Sequence, residues 1–207
     1  MRLPTIKVRR KPRQSRAKLT QAALLESFVR LLQEKPSTSI TIRDITDIAG
    51  VGLGTFYEYF SQKEDLIALF IHLSVKNNIR LLLRHAKSSS IANTNHLETY
   101  IHEILRYQLN HFEKEPHFWA EVFYLERIIS SPASYQKHYQ LMLDCWYEIL
   151  QHSQCSDTQA SQLASIIHRL SYGLISQSLL FSAQHIDWQS LENEIITAIR
   201  AFLPTNT

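Results

Sequence analysis

Helix-breaking residues are scarce in this sequence, and their scarcity constrains the fold more than any other feature. Only 4 of the 207 residues are glycine, and three of these glycines fall between Gly50 and Gly54. Proline occurs 6 times, whereas Leu, Ala, Gln and Glu, which favour helices, are frequent. No segment shows the alternation of polar and apolar residues that is typical of a strand. The sequence therefore predicts an all-α protein.

Apolar residues that recur on one helical face predict about nine helices, three short ones near the N-terminus and longer ones after them. Capping signals mark several starts: Thr41 precedes Asp44 at capping distance, Ser61 precedes Glu64 in the same way, and Pro116 suits a first helical position. The expected helices cover about residues 15–33, 41–49, 53–60, 61–86, 96–113, 116–129, 133–151, 157–182 and 188–203.

Positive charge is concentrated at the N-terminus. Residues 1–18 carry eight Lys or Arg and no acid, which leaves 14 basic against 19 acidic residues in the rest of the chain. A basic arm on an acidic body points to a polyanionic partner. A tail that only improves solubility would have the same charge.

Several other classes of protein are disfavoured. Cys145 and Cys155 lack metal-ligand spacing and fit a reducing compartment. No apolar run approaches the roughly 20 residues of a membrane span, and no apolar signal core follows the basic N-terminus. The ten histidines include no HxxxH pair, and no phosphate-binding loop or catalytic triad spacing is present. We expect a cytoplasmic protein that is not an enzyme and needs no metal or cofactor.

The segment from Ile40 to Leu66 has the pattern of a helix-turn-helix. Two short helices flank a glycine-containing turn, and the second helix of such a motif enters the major groove of DNA. The apolar nucleus between the two helices is expected to contain Ile45, Ala49, Val51, Phe56 and Phe60. The outward positions expected to meet DNA are Leu53, Gly54, Thr55, Tyr57 and Tyr59.

This segment resembles the DNA-binding domain of the TetR family of bacterial transcription regulators. The pattern I-x-x-I-A-G-V-x-x-G-T-F-Y-x-Y-F-x-x-K-E-x-L, which runs from Ile45 to Leu66, carries a resemblance that covers about residues 14–70. It implies a basic arm (1–13), a three-helix DNA-binding domain (14–66, with the motif at about 41–60) and a larger helical domain for ligand binding and dimerisation (67–207).

The resemblance also implies roles for single residues. Arg43 matches a residue that reaches a base or phosphate, Thr41 resembles a phosphate-binding helix terminus, and Lys63 matches a phosphate-contacting lysine. The matching positions of the recognition helix are Thr55, Tyr57 and Tyr59, and the basic arm is expected to contact DNA through Arg9, Arg10, Lys11 and Arg13. For Arg43, Tyr57 and Lys63 the alternative is an ordinary surface or packing role.

Three positions depart from the family pattern. Tyr59 stands where His is frequent, although its hydroxyl still donates to phosphate. Gly52 replaces a Ser or Thr, so the recognition helix lacks a side-chain cap worth about 1 kcal/mol. Thr46 stands where Ala is usual. The first two departures bear on which DNA sequence is preferred.

The C-terminal half is rich in aromatic residues and nearly balanced in charge. Most aromatic residues of a helical bundle are core, but an aromatic cavity with a few polar tips also holds small apolar ligands. The resemblance implies such a pocket among helices four to eight. The candidate residues for it are Tyr107, His111, Phe112, Phe118, Trp119, Phe123, Tyr139, Trp146 and Tyr172.

The last two predicted helices carry apolar stripes that are expected to form a dimer interface. Two helices from each subunit would build a four-helix bundle, unless the stripes are ordinary core of one chain. The candidates are Ile167, Leu170, Leu174, Phe181, Ile195, Ile199 and Phe202. A dimer suits a helix-turn-helix protein because it reads two half-sites about 34–36 Å apart or a multiple of that.

These features predict a homodimeric regulator of transcription, more simply a repressor than an activator, that binds a palindromic double-stranded operator at the nucleoid of a bacterial cell. A small, largely apolar effector would release it. Two alternatives stay open. One is a nucleoid- or division-associated DNA binder of the same fold that needs no ligand. The other is a helical carrier or enzyme for apolar molecules, which lacks convergent catalytic residues.

Overall fold

A computed structural model describes residues 15–89, 97–153 and 155–203 of the chain. Within these residues the chain forms nine α-helices and no strand, so the prediction of an all-α fold is confirmed. Short 3₁₀ turns lie at Ser37–Ser39 and Ala183–His185. The helices are α1 (Ser15–Glu34), α2 (Ile42–Ala49), α3 (Leu53–Tyr59), α4 (Lys63–Ser88), α5 (Leu97–Glu113), α6 (Pro116–Ile129), α7 (Pro132–Gln151), α8 (Asp157–Ser182) and α9 (Trp188–Arg200).

The capping signals of the sequence locate most of the helix starts. Thr41 and Asp44 form the expected capping box at α2, and a second box opens α8. The start of α4 differs from the prediction, because the backbone N–H of Ser61 donates to Asp65 at 3.0 Å. Since α4 begins at Lys63, the third helical position is Asp65 and not Glu64.

The described chain divides into two compact units. Unit 1 contains the described residues up to 73 together with 121–134, and unit 2 contains 74–120 and 135–203 apart from the residues that are not described. Each unit has its own apolar core, with Phe28, Ile45 and Phe56 fully buried in unit 1 and Trp146 and Ile149 fully buried in unit 2. The functional division into arm, DNA-binding domain and effector domain stays a prediction.

Helix α4 is the one described helix that is long and apolar enough to cross a membrane, and it qualifies by length and composition only. Lys76 and Arg80 lie in its middle. The sequence has no uninterrupted apolar run of about 20 residues, whereas α4 meets the criterion through its mean hydropathy. A core helix of a globular protein passes the same test.

The turn between α2 and α3 depends on Gly50. This residue has φ 66° and ψ 32°, in the left-handed region. Its N–H donates to Asp47 O at 3.3 Å, and the N–H of Val51 donates to Thr46 O at 3.1 Å. The two hydrogen bonds form a Schellman motif, which ends α2 abruptly and reverses the chain towards α3.

We predict that Gly50→Ala lowers the free energy of unfolding by about 1–2 kcal/mol, because a residue with a Cβ is disfavoured in the left-handed region. A Cβ at Gly50 would have no heavy atom of the described part of the chain within 4 Å, so the cost is conformational and not steric. Gly54→Ala is the matched control, because Gly54 lies within α3, its Cβ would meet no heavy atom of the described residues, and alanine there should leave stability unchanged or raise it by up to about 1 kcal/mol. Urea denaturation followed by circular dichroism measures both variants, and equal losses would contradict this account of the turn.

Candidate nucleic-acid interface and effector region

The N-terminus of α2 is occupied by an acid. Asp44 Oδ2 accepts the backbone N–H of Thr41 at 2.9 Å and the ammonium of Lys35 at 2.8 Å, while the N–H of Asp44 donates to Thr41 Oγ1 at 3.1 Å. The hydrogen bond from Lys35, aided by that from Thr41 N–H, lowers the pKa of Asp44 to about 2. The ammonium of Lys35 balances the charge of this carboxylate, but the carboxylate occupies the backbone N–H that a phosphate would otherwise bind. Thr41 can therefore offer DNA its hydroxyl proton, whereas its backbone N–H is already bound.

Helix α3 buries one face and exposes the other. Phe56 is fully buried and Tyr59 is 4% exposed, whereas Leu53 and Tyr57 are 43% and 42% exposed. Successive residues of a helix are about 100° apart, so Phe56 and Tyr59 share one side and Leu53 and Tyr57 share another. Gly54 is exposed beside Leu53 and Tyr57. This face is the surface that α3 offers to a partner.

The expectation that Tyr59 faces outward is wrong. Tyr59 follows Phe56 by three residues and joins it in the core of unit 1. Tyr57 and Tyr59 are about 200° apart around the helix, so only one of them can point away from the core. Thr55 is half-buried at the edge of the exposed face. The DNA contacts of Leu53, Gly54, Thr55 and Tyr57 stay predictions.

Lys63, at the first residue of α4, has a structural role that sequence reasoning missed. Its ammonium donates to Ile40 O at 2.7 Å and to Ser37 O at 3.2 Å. Ile40 is 1% exposed and Ser37 is 3% exposed, so both carbonyl groups belong to buried residues. An ammonium has three donors, so these two bonds leave one of them, and the phosphate contact of Lys63 stays a prediction. The acceptors lie 23 and 26 residues before Lys63, beyond the reach of any local pattern.

Ser37 also binds α6. Its N–H donates to Glu121 Oε2 at 3.1 Å, across 84 residues of sequence and within unit 1. Because the carbonyl of the same residue accepts from Lys63, one buried serine connects α4 with α6. Ile40 directly precedes Thr41 and Ser37 lies four residues before it, so these hydrogen bonds fix the segment that leads into α2 relative to α4. No feature of the sequence indicates the pair of Ser37 and Glu121.

The remaining DNA-binding candidates lie on α2 and in the arm. Arg43 is exposed on α2, where Asp47 and Ile48 are exposed as well. Its contact with DNA stays a prediction. Four further candidates lie outside the described residues: Arg9, Arg10, Lys11 and Arg13.

Trp119 is the centre of an aromatic cluster in unit 2. Its ring centroid lies 4.9 Å from Phe112, 5.1 Å from His111 and 5.3 Å from Phe118, in edge-to-face arrangements. Burial lowers the pKa of His111, and the charge of Lys114 lowers it further. His111 is therefore a neutral polar group within an apolar cluster at physiological pH.

Two histidines outside the candidate set complete other aromatic groups of unit 2. His168 on α8 is buried, with its ring centroid 5.2 Å from Tyr139 and 5.6 Å from Tyr172. His85 on α4 stacks on Tyr107 with centroids 4.0 Å apart and planes at 6°. The spacing of four residues between His168 and Tyr172 was the available signal, since such residues share a helical face.

Two buried side chains of unit 2, one on α5 and one on α7, each have a polar atom without a hydrogen-bond partner in the described chain. These atoms are Nε1 of Trp146 on α7, which is fully buried, and Oε1 of Gln108 on α5, which is 6% exposed. Buried polar groups of native proteins are nearly always paired, either with protein groups or with ordered water. The last pocket candidate, Phe123, is buried in unit 1.

Three of the dimer-interface candidates belong to the core of their own chain. Ile167 and Ile195 are completely buried and Ile199 is 1% exposed, so their placement at an interface is wrong. Helix α9 packs on α5 and α8 within unit 2. An amphipathic helix has one apolar face, and α9 uses that face inside the subunit.

Four interface candidates keep exposed surface. Leu170 and Leu174 on α8 are half-buried, Phe181 is 91% exposed, and Phe202, beyond the end of α9, is 55% exposed. These residues stay interface predictions.

Comparison with protein families and curated proteins identifies one match. Residues 16–69 match the family model described as bacterial regulatory proteins, tetR family. No curated protein matches the sequence.

Solved structures are similar to the chain over most of its length. A TetR transcriptional regulator from Rhodococcus sp. RHA1 matches 93% of this chain and 100% of its own, with a TM-score of 0.68 and 16% identity. FadR from Thermus thermophilus, in complex with lauroyl-CoA, matches 90% and 95%, with a TM-score of 0.62 and 17% identity. FadR from Bacillus subtilis, in complex with stearoyl-CoA, matches 88% and 99%, with a TM-score of 0.61 and 17% identity. At these identities the likeness establishes the fold.

We predict that Lys63→Met lowers the free energy of unfolding by about 1–3 kcal/mol, because the buried carbonyl groups of Ser37 and Ile40 lose a donor. Lys76→Met is the matched control, since Lys76 is an exposed lysine of the same helix, and it should change stability by no more than about 0.5 kcal/mol. Chemical denaturation of the two variants makes the comparison. Equal stability of both variants would show that the hydrogen bonds of Lys63 do not stabilise the fold.

Proposed function

We propose that this chain is a TetR-family transcriptional regulator that binds a palindromic DNA operator as a homodimer and represses transcription. It leaves the operator when a small, largely apolar effector binds. The family rests on the match of residues 16–69 and on the fold shared with solved TetR-family regulators. The observation that carries the DNA-binding part is the exposed face of α3. Leu53, Gly54 and Tyr57 lie on a helix whose opposite face is locked into the core.

Phosphate contacts come from residues around α3. Protein affinity for DNA depends on Lys and Arg that neutralise phosphates. Arg43 is exposed on α2, Lys63 has one ammonium proton beyond its two carbonyl bonds, and Thr41 has its hydroxyl. The eight basic residues within positions 1–18 add the largest positive charge of the chain. We assign phosphate or minor-groove contacts to this arm, including Arg9, Arg10, Lys11 and Arg13.

DNA selection tests the DNA-binding part. The full chain should enrich a palindromic site from a random double-stranded pool and bind it roughly 1,000-fold more tightly than shuffled DNA, with two subunits per site. Fluorescence anisotropy at two salt concentrations measures both affinities. Equal, steeply salt-dependent binding to selected and shuffled DNA would contradict the proposal, because the arm alone would then account for the affinity.

The dimer proposal rests on the second apolar face of α8. Opposite its buried face, α8 presents Ile166, Leu170, Leu180 and Phe181, of which the first three are half-buried and the last is 91% exposed. A helix that is apolar on two sides is normally covered on both. Gly173 lies on the same outer side, and a Cβ there would have no heavy atom of the described residues within 4 Å. The glycine thus serves no packing need of its own subunit but permits close approach of another helix.

We predict that Leu170→Glu converts the dimer to a monomer, because a charge on the shared face would be buried without a partner. Thr197→Glu, on the exposed polar face of α9, should leave the dimer intact. Sedimentation equilibrium measures the assembly of both variants, and circular dichroism checks that they remain helical. A monomeric wild-type protein, or a Leu170→Glu variant that stays dimeric, would overturn this interface.

The effector proposal rests on unit 2. The chain carries aromatic groups there, together with the unpaired Nε1 of Trp146 and Oε1 of Gln108. Aromatic walls with a few polar atoms suit a ligand that is mainly apolar and has a polar end. Two solved structures of the same fold contain acyl-CoA esters, lauroyl-CoA in one and stearoyl-CoA in the other. Lauroyl-CoA and free lauric acid are therefore the first probes.

Adding either probe to the complex with the selected operator should lower DNA affinity. We predict that Gln108→Leu weakens this response and leaves stability unchanged or higher, because it removes an unpaired buried polar atom. The control Tyr100→Phe removes the hydrogen bond from Tyr100 Oη to Ile149 O at 3.3 Å, which should cost about 0.5–1.5 kcal/mol and leave the response intact. Operator binding that neither probe changes would favour the ligand-independent alternative.

A further inference from the structure

The recognition helix lacks the side chains that usually read purines. Helix α3 consists of LGTFYEY, which contains no Arg, Lys, Asn or Gln. Arg and Lys are the usual hydrogen-bond partners of guanine, and Asn and Gln are those of adenine. The sequence specificity of α3 must therefore come from other chemistry.

The exposed face of α3 is mainly apolar. Leu53 and Tyr57 lie one helical turn apart and are 43% and 42% exposed. The ring of Tyr57 contacts Phe56 edge-on, with centroids 5.6 Å apart and planes at 83°, which restricts its orientation. Gly54, beside them, has no side chain to hold the helix away from a groove. Leu53 and the ring of Tyr57 form one apolar strip on this face.

The polar residues near this strip are poor base readers. Tyr59 is buried, and the ammonium of Lys63 binds two carbonyl groups. Glu58 is exposed on α3, but a carboxylate only accepts hydrogen bonds, which restricts it to base amino groups. Thr55 is half-buried and brings a methyl group as well as a hydroxyl.

In the major groove, the methyl group of thymine is the one apolar feature among the four bases. We propose that α3 recognises its operator through thymine methyl groups, with Leu53 and the ring of Tyr57 as the specificity-determining contacts. This inference rests on the proposed DNA-binding function and adds the base chemistry that the operator must present. Half-sites carry thymine at the positions that face α3, and guanine contacts, where they occur, come from Arg43 on α2 or from the arm.

Thymine-to-uracil replacement tests the proposal with the wild-type protein. Deoxyuridine keeps every hydrogen-bonding group of thymine and removes only the methyl group. In the selected operator, replacing each thymine in turn should weaken binding by about fourfold at each contacted position, the effect expected for burial of about one methyl group. The proposal would be overturned if replacing every thymine by uracil left the affinity unchanged, while a guanine analogue without the N7 acceptor, placed opposite α3, weakened binding.

A coupling measurement assigns the contact to Leu53. In the Leu53→Ala protein, the difference in affinity between thymine-containing and uracil-containing operators should disappear at one position per half-site and persist at the others. Leu19→Ala is the matched control, because Leu19 is an exposed leucine of α1, 70% exposed, and should leave every difference intact. A Leu53→Ala protein that still distinguishes thymine from uracil at all positions would overturn the assignment. A selection that enriches no site would overturn the proposed function itself. A selected site that binds specifically but does not respond to loss of the thymine methyl groups would overturn only this inference.

Discussion

The burial of Phe56 and Tyr59 in the core of unit 1 determines the chemistry that α3 offers. This helix has seven residues, and two anchors on one side of so short an element fix its rotation about its own axis. Phe56 also packs against Phe60 with ring centroids 5.4 Å apart. A rotation by a single residue, about 100°, would carry Leu53 and Tyr57 away from the exposed face. The surface available for a DNA groove is thus a consequence of core packing.

Placement of the motif depends on a network of hydrogen bonds around buried backbone groups. Lys63 binds the carbonyl groups of Ser37 and Ile40, and the N–H of Ser37 binds Glu121. A buried carbonyl or N–H without a partner would cost about 1–3 kcal/mol, so each of these contacts has a structural purpose. The phosphate role that family resemblance implies for Lys63 is compatible with this geometry, because the ammonium has a third donor. Lys63 thus stabilises the fold and is also a candidate contact of the proposed interface.

Helices α8 and α9 differ in the number of apolar faces that other helices must cover. Helix α9 is apolar on one side, and that side, including Ile195 and Ile199, is buried within unit 2. Helix α8 is apolar on two sides, so packing within the subunit leaves Leu170 and Phe181 accessible. This difference explains why a stripe of similar periodicity is core in one helix and a candidate interface in the other. The proposed homodimer follows from α8 alone.

Local chemistry was sufficient for much of the structure. The all-α fold, the capping box of Thr41 and Asp44, the turn at Gly50 and the TetR-type domain depend on residues a few positions apart, and the sequence by itself determined them. Helical spacing also held the evidence against an outward Tyr59, since Tyr57 and Tyr59 cannot share a face. Tertiary structure alone decided that Lys63 binds Ser37 and Ile40, that Ser37 binds Glu121, and that Ile167, Ile195 and Ile199 are core. Periodicity identifies an apolar face or a charged end, but what covers that face or pairs with that charge lies dozens of residues away and is chosen only when the chain packs.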